Sequence, residues 1–185
     1  MTEQDGSQDW IAAGLAELAD GGVERVRVEV LAQRLGVTKG GFYRRFRDRR
    51  ALLEAILENW VEGRRTAIER QAGGGGRTAT EKLRSLITLY SEHANAQGMA
   101  IELAVRQWAR TDPTAARAAG TVDAARLRTV AGLYRALGIS PAEADGRAVL
   151  FYSFVFGQGL LFLDETPRKR AKLLAACADR LMEVK

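Results

Sequence analysis

Along almost the whole chain, apolar side chains recur at intervals of three and four residues. A clear example is the run Leu83, Leu86, Ile87 and Tyr90. This spacing is typical of helices that bury one face, so the pattern predicts an all-α fold. The short alternation at 26–30 would suit a strand, but it has no partner strand nearby and continues at helical spacing. We interpret it as a loop that enters a helix.

Capping residues divide the pattern into helices. Thr38 and Asp48 are good N-cap residues, and Gly21, Gly22 and Gly36 tolerate the left-handed backbone at which helices end. These signals predict four N-terminal helices, at about 8–20, 28–35, 39–46 and 48–71. A run of glycines at 73–76 costs too much backbone entropy for a helix and forms a joint. Beyond it, helices are predicted at about 79–97, 99–110, 114–137, 141–163 and 167–183.

The composition is that of an ordinary globular protein: 185 residues, 46% of them hydrophobic and 28% charged. The single Cys177 cannot form an internal disulfide, and no basic and apolar leader begins the chain, so we expect a cytoplasmic protein. The longest uncharged run, 148–163, is shorter than the roughly 20 apolar residues that cross a bilayer. No membrane partner is expected.

Positive charge is concentrated in one short segment. Residues 21–50 contain nine arginines and lysines and three acids, whereas residues 1–20 contain five acids and no base. The formal net charge of the whole chain is only +5. The location of the charge therefore says more about a partner than its sum does.

The basic segment has the pattern of a helix-turn-helix. An eight-residue helix at 28–35 is followed by a tight turn at Gly36 and a short helix whose first turn is polar. Six apolar residues are expected to pack the two helices against the first helix: Leu31, Ala32, Leu35, Val37, Phe42 and Phe46. The residues left pointing outward are Thr38, Lys39, Gly40, Tyr43 and Arg44.

These outward residues suit double-stranded DNA. The free N–H groups and the dipole of a helix N-terminus attract phosphate, and Lys39 and Arg44 can reach base edges or the backbone. Gly40 and Gly41 weaken a helix by about 1 kcal/mol each relative to alanine. That cost is tolerable where the backbone must come close to a partner. The alternative is a helical hairpin whose basic face is only solvated, which the full motif disfavours.

From Trp10 to Trp60 the chain resembles the DNA-binding domain of the TetR family of bacterial transcriptional regulators. The residues that carry the resemblance are Leu31-Ala32, Gly36-Val37-Thr38-Lys39-Gly40, Phe42-Tyr43, Phe46 and 48–53. Three positions depart from the family pattern, which has an aliphatic residue at Phe42, a lysine at Arg49 and a small hydroxyl residue at Arg27. The resemblance implies an operator DNA contacted by Arg27, Thr38, Lys39, Gly40, Tyr43, Arg44 and Arg49.

The resemblance also implies two domains and a small-molecule effector. Residues 1–50 would form the DNA-binding domain, helix 48–71 would connect, and 51–185 would bind the ligand and a second copy. An apolar effector, bound in a pocket, would tilt helix four and change the separation of the DNA-binding heads. Large apolar residues with a few polar tips are the pocket candidates: Tyr90, His93, Met99, Leu103, Gln107, Trp108, Phe151, Tyr152, Val155 and Gln158.

A homodimer is expected from the apolar character of helix 141–163. A helix that is apolar nearly all round must be covered on both sides, and a second copy of the chain can provide the second cover. The expected interface residues are Ser153, Phe156, Gly157, Leu160, Leu174, Cys177 and Leu181. Two heads held about 34–36 Å apart would read successive major-groove faces of a palindromic site.

Two other classes of function were weighed. A small helical enzyme is disfavoured, because the chain lacks a phosphate-binding loop and a nucleophile elbow, and His93 is the only imidazole available as a base. No catalytic residue, metal site or cofactor is therefore predicted. A helical DNA-binding protein with no effector stays open. The favoured hypothesis is a ligand-responsive regulator, acting as a repressor.

Overall fold

The computed structural model describes residues 3–73, 78–91, 96–158, 160–161 and 166–183. At residues 3–5, 90 and 91 it describes the backbone alone. Within those ranges it contains helices and no strand, which confirms the all-α prediction. The helices are α1 (Glu3–Gly21), a 3-10 turn (Val23–Arg25), α2 (Val28–Leu35), α3 (Lys39–Tyr43), α4 (Arg49–Gly73), α5 (Ala79–Ser91), α6 (Ala96–Ala109), α7 (Pro113–Ala136), α8 (Pro141–Gly157) and α9 (Pro167–Met182).

Local capping explains most of these boundaries. Gly36 ends α2 with a φ of 65°, and its N–H donates to carbonyls of the last turn. The Asp48 carboxylate accepts from the Ala51 N–H at 2.8 Å, as expected of the cap that precedes α4. Thr38 occupies the N-cap position of α3, but its side chain makes no capping hydrogen bond. Helix α3 is three residues shorter than predicted, because the chain turns after Tyr43.

The chain forms two compact units, Met1–Arg65 with Asn95–Val122, and Thr66–Ala94 with Asp123–Lys185. These units differ from the division at residue 50 expected from the sequence. That division concerns function, DNA binding against ligand binding, and it stays a prediction. No helix in the described ranges is both long and apolar enough to cross a membrane.

The first unit is built around aromatic and aliphatic side chains of the first four helices. Trp10 meets Phe42 edge to face with ring centroids 5.3 Å apart, and Phe42 stacks on Phe46. Helix α6 packs against α1 and the 3-10 turn. Two of the six expected core residues are not buried: Leu35 is partly exposed and Val37 is 47% exposed. Val37 directly follows the left-handed Gly36, where the chain turns outward.

The second unit has a core made by α5, α7 and α8, with α9 packed beside it. Tyr134 is fully buried there, and its hydroxyl donates to the Leu181 carbonyl of α9 at 3.0 Å. Burial raises the pKa of the Tyr134 phenol, since the charged phenolate loses its hydration. Arg147 lies over the same ring.

Candidate nucleic-acid interface

The expected recognition residues lie together at one exposed part of the first unit. Thr38, Lys39, Gly40, Tyr43 and Arg44 are all exposed, as predicted, and Tyr43 is 61% exposed. Their exposure follows from the burial of Phe42 and Phe46, which anchor α3 by its other face. We call these residues, together with Arg27, the recognition surface.

Lys39, at the start of α3, is held by an acid on α2. Its Nζ lies 2.7 Å from Oε1 of Glu29, and both side chains are more than half exposed. The hydrogen bond with Lys39 lowers the pKa of the Glu29 carboxyl, and the same bond raises the pKa of the Lys39 ammonium. Sequence reasoning missed Glu29, although it stands at the start of α2 within a strongly basic segment.

Two further members of the recognition surface lie just before helices. Arg27 is the N-cap of α2, with extended backbone and an exposed side chain that makes no capping bond. Thr38 has the same role before α3, and its side chain is also not used as a cap. Both side chains can therefore turn towards a phosphate beside a helix N-terminus.

Arg49 has a different environment from the rest. Its Nε donates to the Val26 carbonyl and its Nη2 to the Val23 carbonyl, both at 2.6 Å. The guanidinium therefore fastens the first residue of α4 to the loop that leads into α2, and we call this arrangement the Arg49 clamp. The role of Arg49 as a phosphate contact stays a prediction, whereas the clamp is visible in the structure.

A buried carboxylate braces the same region from α1. Glu17 accepts hydrogen bonds from Arg34 Nη1 at 2.7 Å and from Arg25 Nε at 3.0 Å. The bond from Arg34, with that from Arg25 and both charges, lowers the pKa of Glu17 against the opposing effect of burial. The arginines keep about half of their side-chain exposure. An acid on the buried face of α1 was the available signal in the sequence.

The pocket candidates fall in separate units. Met99, Leu103 and Trp108 are at least partly buried in the first unit, and Gln107 is exposed. In the second unit the structure buries Phe151, Tyr152 and Val155, and among the described residues it gives the buried Nε2 of Gln158 no hydrogen-bond partner. The Tyr90 side chain and His93 lie outside the described residues. For all ten pocket candidates, contact with a ligand stays a prediction.

Each unit also contains a cavity. One of about 400 Å³ in the first unit is lined by Trp108 and by parts of α4 and the start of α7. One of about 220 Å³ in the second unit lies between α5 and α9. Among the described residues, no three His, Cys, Asp or Glu side chains are grouped so that they could hold a metal ion.

The expected dimer residues are divided between an outer and an inner face. Ser153, Leu160 and Cys177 are exposed, and Gly157 and Leu174 are partly exposed. Phe156 and Leu181 instead pack against the core of their own unit. The large apolar side chains that α8 and α9 do expose are Val149 (53%), Leu150 (61%) and Leu173 (44%).

Comparison with known proteins agrees with the fold. The chain is similar to a TetR-family transcriptional regulator from Agrobacterium tumefaciens, with a TM-score of 0.77, 12% identity, and coverage of 98% of this chain and 97% of that one. It is also similar to a transcriptional regulator from Saccharomonospora viridis in complex with choline, with a TM-score of 0.78, 16% identity, and 95% and 96% coverage. At these identities the likeness shows the fold.

The chain is also similar to curated proteins named peptide chain release factor 2. Peptide chain release factor 2 of Phenylobacterium zucineum is 28% identical over 139 residues, which cover 74% of this chain and 36% of that protein. The chain thus spans about a third of the length of the curated relatives it matches.

Residues 11–56, which include the whole helix-turn-helix, match the family model for bacterial regulatory proteins of the tetR family. The helix-turn-helix segment of this chain is therefore similar to that of the bacterial regulatory proteins of the tetR family.

Proposed function

We propose that this protein is a ligand-responsive transcriptional repressor. A homodimer binds a palindromic operator in cytoplasmic DNA, and a small-molecule effector releases it. The observation that carries the proposal is the recognition surface: the segment that matches the family forms a helix-turn-helix whose short second helix is anchored by Phe42 and exposes Lys39, Tyr43 and Arg44.

The DNA contacts follow from the chemistry of the exposed side chains. Lys39 and Arg44 donate to base edges or phosphates, and Gly40 lets the backbone approach the groove. The Tyr43 hydroxyl, Thr38 and Arg27 contact phosphates. Contacts of this kind fix the register of the helix, and the base contacts supply discrimination of about 1–3 kcal/mol each.

Alanine variants test this assignment. We expect Lys39→Ala and Arg44→Ala each to weaken binding to a duplex selected from random DNA, by about fivefold to a hundredfold. Lys172→Ala, which removes an exposed lysine of α9, is the matched control and should bind normally. Fluorescence anisotropy gives the affinities. Wild-type affinity in both recognition variants would contradict the placement of α3 in the groove.

Dimerisation is supported by the exposed apolar side chains of α8 and α9. Val149, Leu150 and Leu173 expose apolar area that a second copy can cover. We expect Leu150→Glu to produce monomers in sedimentation experiments and to weaken operator binding. Leu89→Glu, the same substitution at an exposed leucine of α5, is the control. A dimer that survives Leu150→Glu would argue against this interface.

The proposed division of the chain at residue 50 separates two functions. Residues 1–50 bind DNA and 51–185 bind the effector and the second copy, with α4 as the connection. Helix α4 has 25 residues and is therefore about 37 Å long, which suits a rigid lever. An effector that favours the released state needs a coupling free energy of about 1–3 kcal/mol.

Effector binding is supported by two observations. A regulator of the same fold was solved in complex with choline, so a protein of this architecture can bind a small organic molecule. In this chain the buried Nε2 of Gln158, which has no hydrogen-bond partner among the described residues, offers a donor at the end of the helix that carries the buried Phe151 and Val155.

A thermal-shift screen with largely apolar compounds, followed by DNA-release assays on the hits, tests for an effector. Compounds that raise the Tm and also release DNA support the switch. If compounds that raise the Tm leave DNA binding unchanged, the effector-free alternative is favoured.

A further inference from the structure

We propose that Glu29 determines how strictly this protein discriminates its operator from other DNA, because it competes with phosphate for Lys39. The inference rests on the proposed DNA-binding function and adds a residue to it. Glu29 is not one of the residues of the family motif quoted above, and it would act by occupying a cation that the motif supplies.

The geometry makes Glu29 the intramolecular partner of the recognition helix. It lies in the first turn of α2, and its Oε1 is 2.7 Å from the Nζ of Lys39 in the first turn of α3. The side chains of Lys39 and Glu29 are 57% and 62% exposed, so both can be reached by DNA without unfolding anything. Arg27 is close enough to add to the field at the same carboxylate.

The other acids of the basic segment are placed differently. Glu24 lies exposed in the 3-10 turn. Asp48 caps α4 and lies 3.3 Å from Arg47. Of the three acids at 21–50, Glu29 is therefore the one that the structure pairs with a member of the recognition surface.

The pair affects binding to arbitrary DNA and to the operator unequally. On arbitrary DNA, Lys39 can contact only phosphates, and each such contact requires it to leave Glu29 and places a carboxylate beside the phosphate backbone. At the operator, Lys39 donates to a base edge that other sequences lack, and because its ammonium has three N–H donors it can do so without leaving Glu29. The competition therefore weakens non-specific binding more than specific binding, which widens the ratio between them.

Glu29→Gln tests the proposal, because glutamine keeps the size of the side chain and removes its charge. Two probes are used: a duplex selected from random DNA by the wild-type protein, and an unselected pool of duplexes of equal length. Anisotropy titrations at several salt concentrations give both the affinity and the salt slope. Glu24→Gln, the same change at an exposed glutamate of the 3-10 turn, is the matched control.

We expect Glu29→Gln to bind the unselected pool about threefold to tenfold more tightly, with a salt slope steeper by about one phosphate contact. Affinity for the selected duplex should change less than about twofold, so the specificity ratio falls. Unchanged affinity and slope on the pool would overturn the proposal.

A double variant shows whether the effect passes through Lys39. In a Lys39→Gln background, Glu29→Gln should no longer strengthen binding to the pool, because there is no ammonium to release. A gain that persists in this background would mean general repulsion between Glu29 and DNA and would also overturn the proposal. If the wild-type protein binds neither probe, it is the proposed function that fails. Thermal unfolding of each variant excludes misfolding as the cause.

Discussion

Substituting Arg49 by lysine separates two roles that a cation can have at the start of α4. The family resemblance predicts that Arg49 contacts a phosphate of the operator, and lysine, the residue of the family pattern at this position, would keep the charge. The structure instead engages two nitrogens of the guanidinium with the Val23 and Val26 carbonyls, at 2.6 Å each. An ammonium group is a compact donor and cannot reproduce this forked geometry.

The magnitude follows from the hydrogen bonds. A hydrogen bond to a charged group contributes about 1.5–3 kcal/mol, and lysine can keep at most one of the two. Because Arg49 is only partly buried, we take the lower part of this range and expect Arg49→Lys to reduce the free energy of unfolding by about 2 kcal/mol. For a chain of this size that lowers the Tm by about 4–8 °C.

Urea unfolding and the salt dependence of DNA binding are measured on the same variants. Arg49→Lys should lose stability and keep the wild-type salt slope. Arg50→Lys is the control, since the Arg50 side chain is exposed and pairs only along its own helix with Glu54. Full stability of Arg49→Lys, together with a salt slope reduced by about one contact in Arg49→Ala, would refute the clamp and favour the phosphate role.

Two further predictions concern buried titratable groups. Glu17→Gln should lower the free energy of unfolding by about 2 kcal/mol at pH 7, because two charge-assisted hydrogen bonds are weakened while the half-exposed arginines stay hydrated. Glu24→Gln, the control, should lower it little. Since folding lowers the pKa of Glu17, its stabilisation is present above the ordinary pKa of 4.5 and is lost as the pH falls through the folded value. Denaturation curves of wild type and variant should therefore converge in acid. Tyr134→Phe should cost about 1 kcal/mol through the lost bond to Leu181. Folding raises the pKa of Tyr134, so the neutral phenol stabilises the protein below its ordinary pKa of 10.0, and the alkaline loss of stability should be smaller in the variant.

Local signals were sufficient for most helix starts and for the exposed part of the site, whereas the predicted ends of helices 79–97 and 141–163 were wrong. Gly36 and Asp48 act through backbone geometry and one short hydrogen bond, which depend on neighbours in sequence. The outward direction of Lys39 and Tyr43 follows from the helical spacing of Phe42 and Phe46. Val37 was misplaced because its exposure depends on the direction the chain takes after Gly36, which hydrophobicity does not encode.

The partners of the arginines could not be predicted in this way. Arg25, Arg34 and Arg49 are alike as letters in a basic segment, yet two of them bind a carboxylate eight and seventeen residues away and the third binds carbonyls more than twenty residues away. Each choice depends on how α1, α2 and α4 pack. A local charge count therefore overestimates the number of cations that are available to DNA.

The energies of these contacts constrain how an effector could act on the first unit. The Arg49 clamp joins α4 to the loop before α2, and Glu17 joins α1 to Arg25 and Arg34. By the estimates above, the two ties together contribute about 4 kcal/mol, whereas allosteric coupling is typically about 1–3 kcal/mol in total. An effector with that coupling cannot break both ties. In the proposed mechanism, the effector therefore leaves the recognition surface intact and changes the spacing of the two heads. We expect hydrogen exchange in α2 and α3 to be the same with and without an effector that releases DNA.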